Sequence, residues 1–191
     1  MARADYFGEF PLFHHECVGR QSPPAFSSEM AAFNIPFVVK ESIVLTEGVI
    51  SLFDRSFHAA PPDFPRHFVA LEAMQPTKVS AYVHFTAAET GVFLLGGLCV
   101  DERCYRRLDH PQRRAIAAEG SLSRWLMRRS IELLKPARAI FGYTGDVRSR
   151  RDIAALGFVI AVEPYLFVQW HDEPVQDRDA LIGRIARLGP F

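Results

Sequence analysis

Three stretches of the chain place side chains where they can do chemistry. In the first, Gly120-Ser121-Leu122-Ser123 stands at the head of a segment in which Leu122, Trp125, Leu126, Leu133 and Leu134 recur at helical spacing. Arg124 and Arg128 lie four apart on another side of that segment. A helix that starts at Gly120-Ser121 turns free backbone N–H groups, with the helix dipole behind them, toward any anion nearby. The second stretch is Gly142-Tyr143-Thr144-Gly145-Asp146. Its two glycines make turn chemistry, Tyr143 supplies a phenol, and the Asp146 side chain is placed to cap the helix that follows. The third is the run His14-His15-Glu16-Cys17, whose side chains all suit a metal. Adjacent residues do not converge on one ion without unusual backbone, and neither Cys-x-x-Cys nor His-x3-His spacing is present, so an ordinary loop is expected and no metal site is assigned.

Charge separates these stretches. Across 191 residues the 22 Lys and Arg balance the 22 Asp and Glu, which argues for neither a nucleic acid nor a membrane surface as partner. Residues 103–151, however, hold 13 Lys/Arg against 4 Asp/Glu, whereas residues 1–102 hold 6 against 12. The basic segment contains both the Gly120 and the Gly142 stretches, and it either attracts a phosphorylated ligand or forms a solvated helix face. The three cysteines, Cys17, Cys99 and Cys104, and a start with neither a basic leader nor an apolar core segment lead to the expectation of a reduced, cytoplasmic setting. No apolar run approaches the roughly 20 residues of a membrane helix.

The elements that position these stretches can be read in order. Residues 1–36, rich in Phe and Pro without a period, read as an irregular arm, and residues 37–191 as one domain. Phe37 to Leu45 is β-prone, and Thr46 precedes a helix over Glu47–His58 with Val49, Leu52, Phe53 and Phe57 on one stripe. Strands are expected at His67–Ala73, Lys78–Thr86 and Gly91–Asp101, separated at hairpin lengths and so arranged as an antiparallel meander. The third of these is apolar on both faces, hence central. Gly96-Gly97 interrupts it, which marks either a bulge under close packing or a close approach by a ligand. A basic linker over 102–114, a helical segment over Ala115–Leu134 that contains Gly120, a short strand over Arg138–Phe141, a helix closed by Gly157, a strand region over Phe158–Trp170 kinked at Pro164 and a last helix over Asp177–Leu188 complete the chain.

That order, together with GDVRSRRDIAALGF at residues 145–158, resembles the GNAT-type N-acetyltransferase superfamily, as a divergent member, over residues 37–171. The resemblance implies an α/β (α+β) fold, a mixed, mostly antiparallel central sheet flanked by helices on both faces. In the family the last helix carries Asn-x-x-Ala-x-x-x-Tyr-x-x-x-Gly-Phe. Here Asp146, Ser149 and Ile153 stand at the Asn, Ala and Tyr positions, before Gly157-Phe158. The family tyrosine protonates the departing thiolate, and an isoleucine cannot. A second signature, Gln/Arg-x-x-Gly-x-Gly/Ala, meets Ala117 to Leu122, keeping Gly120 and losing the leading cation. The resemblance implies that Gly120, Ser121, Leu122, Ser123 and Arg124 hold a pyrophosphate. It also implies that the backbone of Leu98, Cys99 and Val100 pairs with a pantetheine arm, and that Asp146 and Ser149 lie beside it. The co-substrate so implied is acetyl-CoA or another acyl-CoA.

The activity implied is N-acyl transfer, most simply acetyl transfer to a primary amine of a small molecule or peptide by direct attack. Such a reaction needs a deprotonated amine, a polarised carbonyl and a proton for the sulfur. Glu72 is the one acid inside an expected core strand and is assigned as base. Tyr143 is assigned as the replacement acid. His67 and His84 alternate with apolar residues and read as structural, and Cys99 reads as a small buried residue rather than a nucleophile. The competing reading, based on Ile153 and the altered pyrophosphate pattern, is a non-catalytic or regulatory binding protein on the same fold. Nucleic acid is the least favoured partner, and whether the chain forms a homodimer is open.

Overall fold

The computed structural model describes residues 35–63, 65–171 and 177–191. The metal-capable run at 14–17 and nearly all of the expected arm lie outside them. Phe37–Ser42 forms β1, and Glu47–Phe57 forms α1, with Val49, Leu52 and Phe53 buried. Arg66–Glu72 (β2), Gln75–Glu89 (β3) and Val92–Val100 (β4) form the expected antiparallel meander. β3 begins three residues earlier than expected, because Gln75 pairs back onto Glu72. Its alternation decides which side chains meet which helix. Ser80, Tyr82 and His84 point to one face, and Ala81, Val83 and Phe85 to the other, all of them buried.

The stretch read as a basic linker is helical. Cys104–Arg107 is α2 and His110–Ala118 is α3. The reason is a capping box in which the Asp109 carboxylate accepts from the Gln112 backbone N–H while the Gln112 side chain accepts from the Asp109 N–H, with Pro111 in the first turn. Gly120 then breaks the chain at φ +93, and α4, Leu122–Leu133, starts on its Ser121 cap. Ala139–Tyr143 is β5 and Val147–Ala155 is α5, capped by Asp146 and followed by Gly157 at φ +87. The region kinked at Pro164 is a hairpin, β6 (Val159–Val162) with β7 (Leu166–Trp170), and Arg178–Ala186 is α6.

The strands form one seven-stranded sheet in the order β1-β2-β3-β4-β5-β7-β6, antiparallel except at β4–β5. Helices cover both faces, as expected. On one face α3, α4 and α5 contribute Ile116, Leu122, Trp125, Leu126, Met127, Ile131 and Ile153 to a core with Phe68, Phe85, Leu95 and Ile140. On the other, α1 packs on Tyr82 and Cys99, and α6 packs Leu181 and Ile185 on Phe141 and Val168. Fully buried rings such as Phe68 and Phe85 stabilise the fold by about 1.5–3 kcal/mol each through apolar burial alone. No helix among the described residues is long and apolar enough to cross a membrane.

Candidate functional site

The feature that organises the site is where pairing stops. β4 and β5 run parallel from Val92 opposite Ala139 to Leu95 opposite Gly142, and there the ladder ends. β5 turns away with β7, holding Tyr143 opposite Leu166 and donating the Thr144 N–H to the Tyr165 carbonyl. β4 continues along β3 as far as Val100. Among the described residues, the side of β4 that faced β5 is therefore without a strand partner from Gly96 to Val100, and such an edge is a template for an extended ligand. A cavity of about 300 Å3 occupies this opening, lined by Leu95–Leu98, Gly142–Thr144, Asp146, Ser149 and Ile153, with Phe57, Met127 and Phe191 closing around it.

The expected residues divide between those this cleft collects and those it does not. Leu98, Tyr143, Asp146 and Ser149 line it. Cys99 turns its side chain into the α1 core, and Val100 packs against the core on the opposite face, so any role they have here is through backbone. Burial pushes the Cys99 thiol up to about 11, against weaker opposing effects of Ser56 and Arg55, which keeps it protonated and inert. The Asp146 carboxylate is committed to the helix, accepting from the Ser149 N–H at 2.7 Å, and that bond holds it below the usual carboxylate range. The Tyr143 ring lies 6.1 Å from those of Tyr165, at a tilt, and Phe191, edge-on.

Glu72 is not in the cleft. It stands at the end of β2, where the turn to β3 begins, and its Oε1 accepts from Arg107 on α2 at 2.5 Å and from Ser80 Oγ at 3.2 Å, with Lys78 at 3.9 Å. The reason is register. Opposite Gln75, it belongs to the hairpin end of the sheet and not to the opening beside β5.

The Gly96-Gly97 pair has a definite cause. His84 of β3 lays its ring against it, and a Cβ on Gly96 would come within 2.5 Å of His84 Nε2. One on Gly97, which sits at φ +50, would overlap the same ring and that of Phe53. The close approach is thus by a side chain of the neighbouring strand, at a register shift between β3 and β4. His84 is the end of a buried chain: Tyr82 Oη lies 3.3 Å from His84 Nδ1 and 2.8 Å from His67 Nδ1. Burial drives the His84 pKa down to about 4, helped by His67, and lowers that of His67 against the pull of Asp63. Burial also raises that of Tyr82. Near neutrality the three are uncharged. His67 Nε2 is buried with no hydrogen-bond partner among the described residues.

The N-terminus of α4, expected to cradle a pyrophosphate, is filled by the chain itself. The Leu122 N–H donates to Tyr105 Oη, and the Arg124 N–H to Ser121 Oγ. Asp152 of α5 then closes the end. Its Oδ2 accepts from Ser121 Oγ and Ser123 Oγ at 2.7 Å each, and its Oδ1 accepts from Arg124 Nη2 at 3.0 Å. Burial works to raise the Asp152 pKa, but the bonds from Ser123, Ser121 and Arg124 outweigh it and hold the carboxylate below its ordinary range. Arg124 folds over Gly120, where any Cβ would meet its guanidinium. Arg128, the next cation on the helix, pairs with Glu119. Sequence reading did not single out Asp152, although the signal was there: Ser149, Asp152, Ile153 and Leu156 are spaced three and four apart, the inward stripe of α5. Among the described residues no group of three His, Cys, Asp or Glu could hold a metal.

No family model matches the chain, and no curated protein matches it. Solved structures do. A structure from Desulfovibrio desulfuricans, described as a candidate acetyltransferase of the GNAT family, aligns over 70% of this chain and 98% of its own at 13% identity and a TM-score of 0.49. A GNAT-family acetyltransferase from Streptococcus pneumoniae aligns over 71% and 99% at 13% identity and 0.48. A candidate N-acetyltransferase from E. coli, YhhK, solved bound to coenzyme A, aligns over 71% and 98% at 12% identity and 0.47.

Proposed function

We propose that the chain is an N-acyltransferase that draws the acyl arm of an acyl-CoA-type thioester into the β4–β5 opening and passes the acyl group directly to an amine. The observation that carries this reading is the strand edge from Gly96 to Val100, left without a strand partner among the described residues beside a cavity of about 300 Å3. Backbone N–H and C=O groups there suit an amide-bearing arm, which pairs as an added strand would. Acetyl is the acyl group proposed, with a primary amine on a small molecule or peptide as acceptor. The amine nitrogen forms a bond to the acyl carbon, the carbon–sulfur bond breaks, the leaving sulfur takes a proton from a donor in the cleft, and the proton that the nitrogen loses passes through solvent back to that donor. Tyr143 is the phenol that lines the cleft and is assigned as that proton donor, since Ile153, also in the lining, has none to give. Glu72, fixed by Arg107, is not assigned as base. Residues 98–100 act through backbone, and Ser149 at the first turn of α5 borders the arm.

The test is to mix purified protein with acetyl-CoA and a panel of primary amines and to follow free thiol. Turnover that falls with Tyr143→Phe is the expected result. Absence of both binding and thiol release at millimolar acetyl-CoA overturns the reading. One observation favours a second reading, a non-catalytic binding protein: the α4 end is already satisfied by Asp152. Thioester binding with no thiol release across the whole panel is its signature.

A further inference from the structure

The donor of such a reaction can be defined more closely, on the proposed reading of the cleft. An acyl-CoA carries an acyl-pantetheine arm and, beyond it, a diphosphate and nucleotide. The two parts make different demands. The arm needs an open backbone edge, which β4 provides from Gly96 to Val100. The diphosphate needs free N–H donors and uncompensated cations, and at the α4 end the Leu122 and Arg124 N–H groups and the Arg124 and Arg128 guanidiniums are taken. Ser121 and Ser123 donate their hydroxyls to Asp152, Arg124 pairs with it, Leu122 donates its N–H to Tyr105, and Arg128 pairs with Glu119. Asp152 is 4% exposed, so it is not a surface carboxylate that an incoming ligand can brush aside. A diphosphate entering here would place its charge against a buried carboxylate and would strip Arg124 from its partner.

We infer that the chain reads its donor through the pantetheine arm alone, with Asp152 standing where a diphosphate would bind, so that the substrate class is acyl-pantetheine thioesters whether or not a nucleotide is attached. Asp152 thereby acts as a specificity-determining residue: it removes the contribution that the nucleotide end would otherwise make to affinity. Replacing the carboxylate with an isosteric amide keeps an acceptor for the serine hydroxyls and frees the charge of Arg124.

The experiment measures binding of acetyl-CoA and of S-acetylpantetheine to the wild-type chain and to Asp152→Asn by calorimetry, with thermal unfolding of both proteins as the check on folding. In the wild type the two dissociation constants are expected to agree within about threefold, and in Asp152→Asn acetyl-CoA is expected to bind about tenfold tighter while S-acetylpantetheine is unchanged. Wild-type protein that binds acetyl-CoA more than about tenfold tighter than S-acetylpantetheine overturns the inference while leaving the acyltransferase reading in place. So does a folded Asp152→Asn with no gain for acetyl-CoA. The wild-type ratio decides the matter even where the variant folds poorly. If neither thioester binds either protein, the reading of the cleft fails and this inference falls with it. Equal binding of both without turnover upholds the donor class and removes the catalysis.

Discussion

The β4–β5 opening and the N-terminus of α4 are opposites. The opening has few polar side chains, yet among the described residues its backbone edge from Gly96 to Val100 lacks a strand partner. The α4 end is dense in donors, with two serines, an arginine and the first helical amides, and nearly all are satisfied by Asp152, Tyr105 and Ser121. Availability for a ligand therefore runs against the count of polar residues. A donor already bonded inside the fold gains little by exchanging one partner for another, whereas an unpaired strand edge gains a whole ladder. The residues that look most like a binding motif in sequence are, in the folded chain, those least free to bind.

The most damaging way to break the comparison is at the floor of the opening. Gly97→Val must place a branched side chain at φ +50 and into the His84 and Phe53 rings. A loss of about 4 kcal/mol in urea unfolding is expected, with part of it restored when His84→Ala is added. The α4 end breaks differently. Asp152→Ala leaves Arg124 without its partner in a half-buried position and one of the two serine hydroxyls without an acceptor, the other being within 2.9 Å of its neighbour. About 3 kcal/mol should be lost, and a folded protein with less than about 0.5 kcal/mol of change would show that the end is not held by this carboxylate.

A comparable effect comes from pH. The native state holds His84 neutral, at a pKa of about 4 against the ordinary 6.5, so the unfolded chain takes up a proton that the folded chain refuses. Unfolding midpoints are expected to be flat from this source above pH 6.5 and to fall as pH drops toward 4, by up to about 3 kcal/mol. His67 adds in the same direction. A His84→Leu protein should lose most of that slope, and a native state that strengthened on acidification would contradict the buried chain of His67, Tyr82 and His84. Asp152 loses its stabilising effect only at lower pH, through its depressed pKa.

Tyr143→Phe is expected to lower kcat by about ten- to a hundredfold with KM little changed, read from thiol release; equal turnover in both proteins would remove Tyr143 as the acid. The smallest effect is assigned to Glu72. Its ion pair with Arg107 is partly exposed, so Glu72→Gln should alter stability by less than about 1 kcal/mol and leave turnover as it was. A large drop in kcat would bring Glu72 back as base.

Elements with strong local signals were legible from the chain alone. Alternation and length pointed to the β2–β4 meander, and Asp146 and Gly157 marked the two ends of α5, because caps and periodicity act within a few residues. The arginines over 102–114 suggest a linker where the chain forms α2 and the first half of α3, although Asp109 and Gln112 stand at capping-box spacing; from Ala115 onward the pattern is helical, as the structure has it. The cleft was only half visible: Leu98, Tyr143, Asp146 and Ser149 were named, while Phe57, Met127 and Phe191 come from elements distant in sequence.

Sequence by itself determined the order of the elements, the glycines at turns and the apolar stripes, all consequences of local backbone preference and burial. Three matters were left to tertiary structure. They are the end of β4–β5 pairing at Leu95 and Gly142, the explanation of Gly96-Gly97 by a histidine one strand away, and the closure of α4 by an aspartate 31 residues beyond Ser121. Each depends on which groups find one another across the fold. Hydrogen bonds and close packing are decided pair by pair in space, and a linear pattern records only one member of each pair.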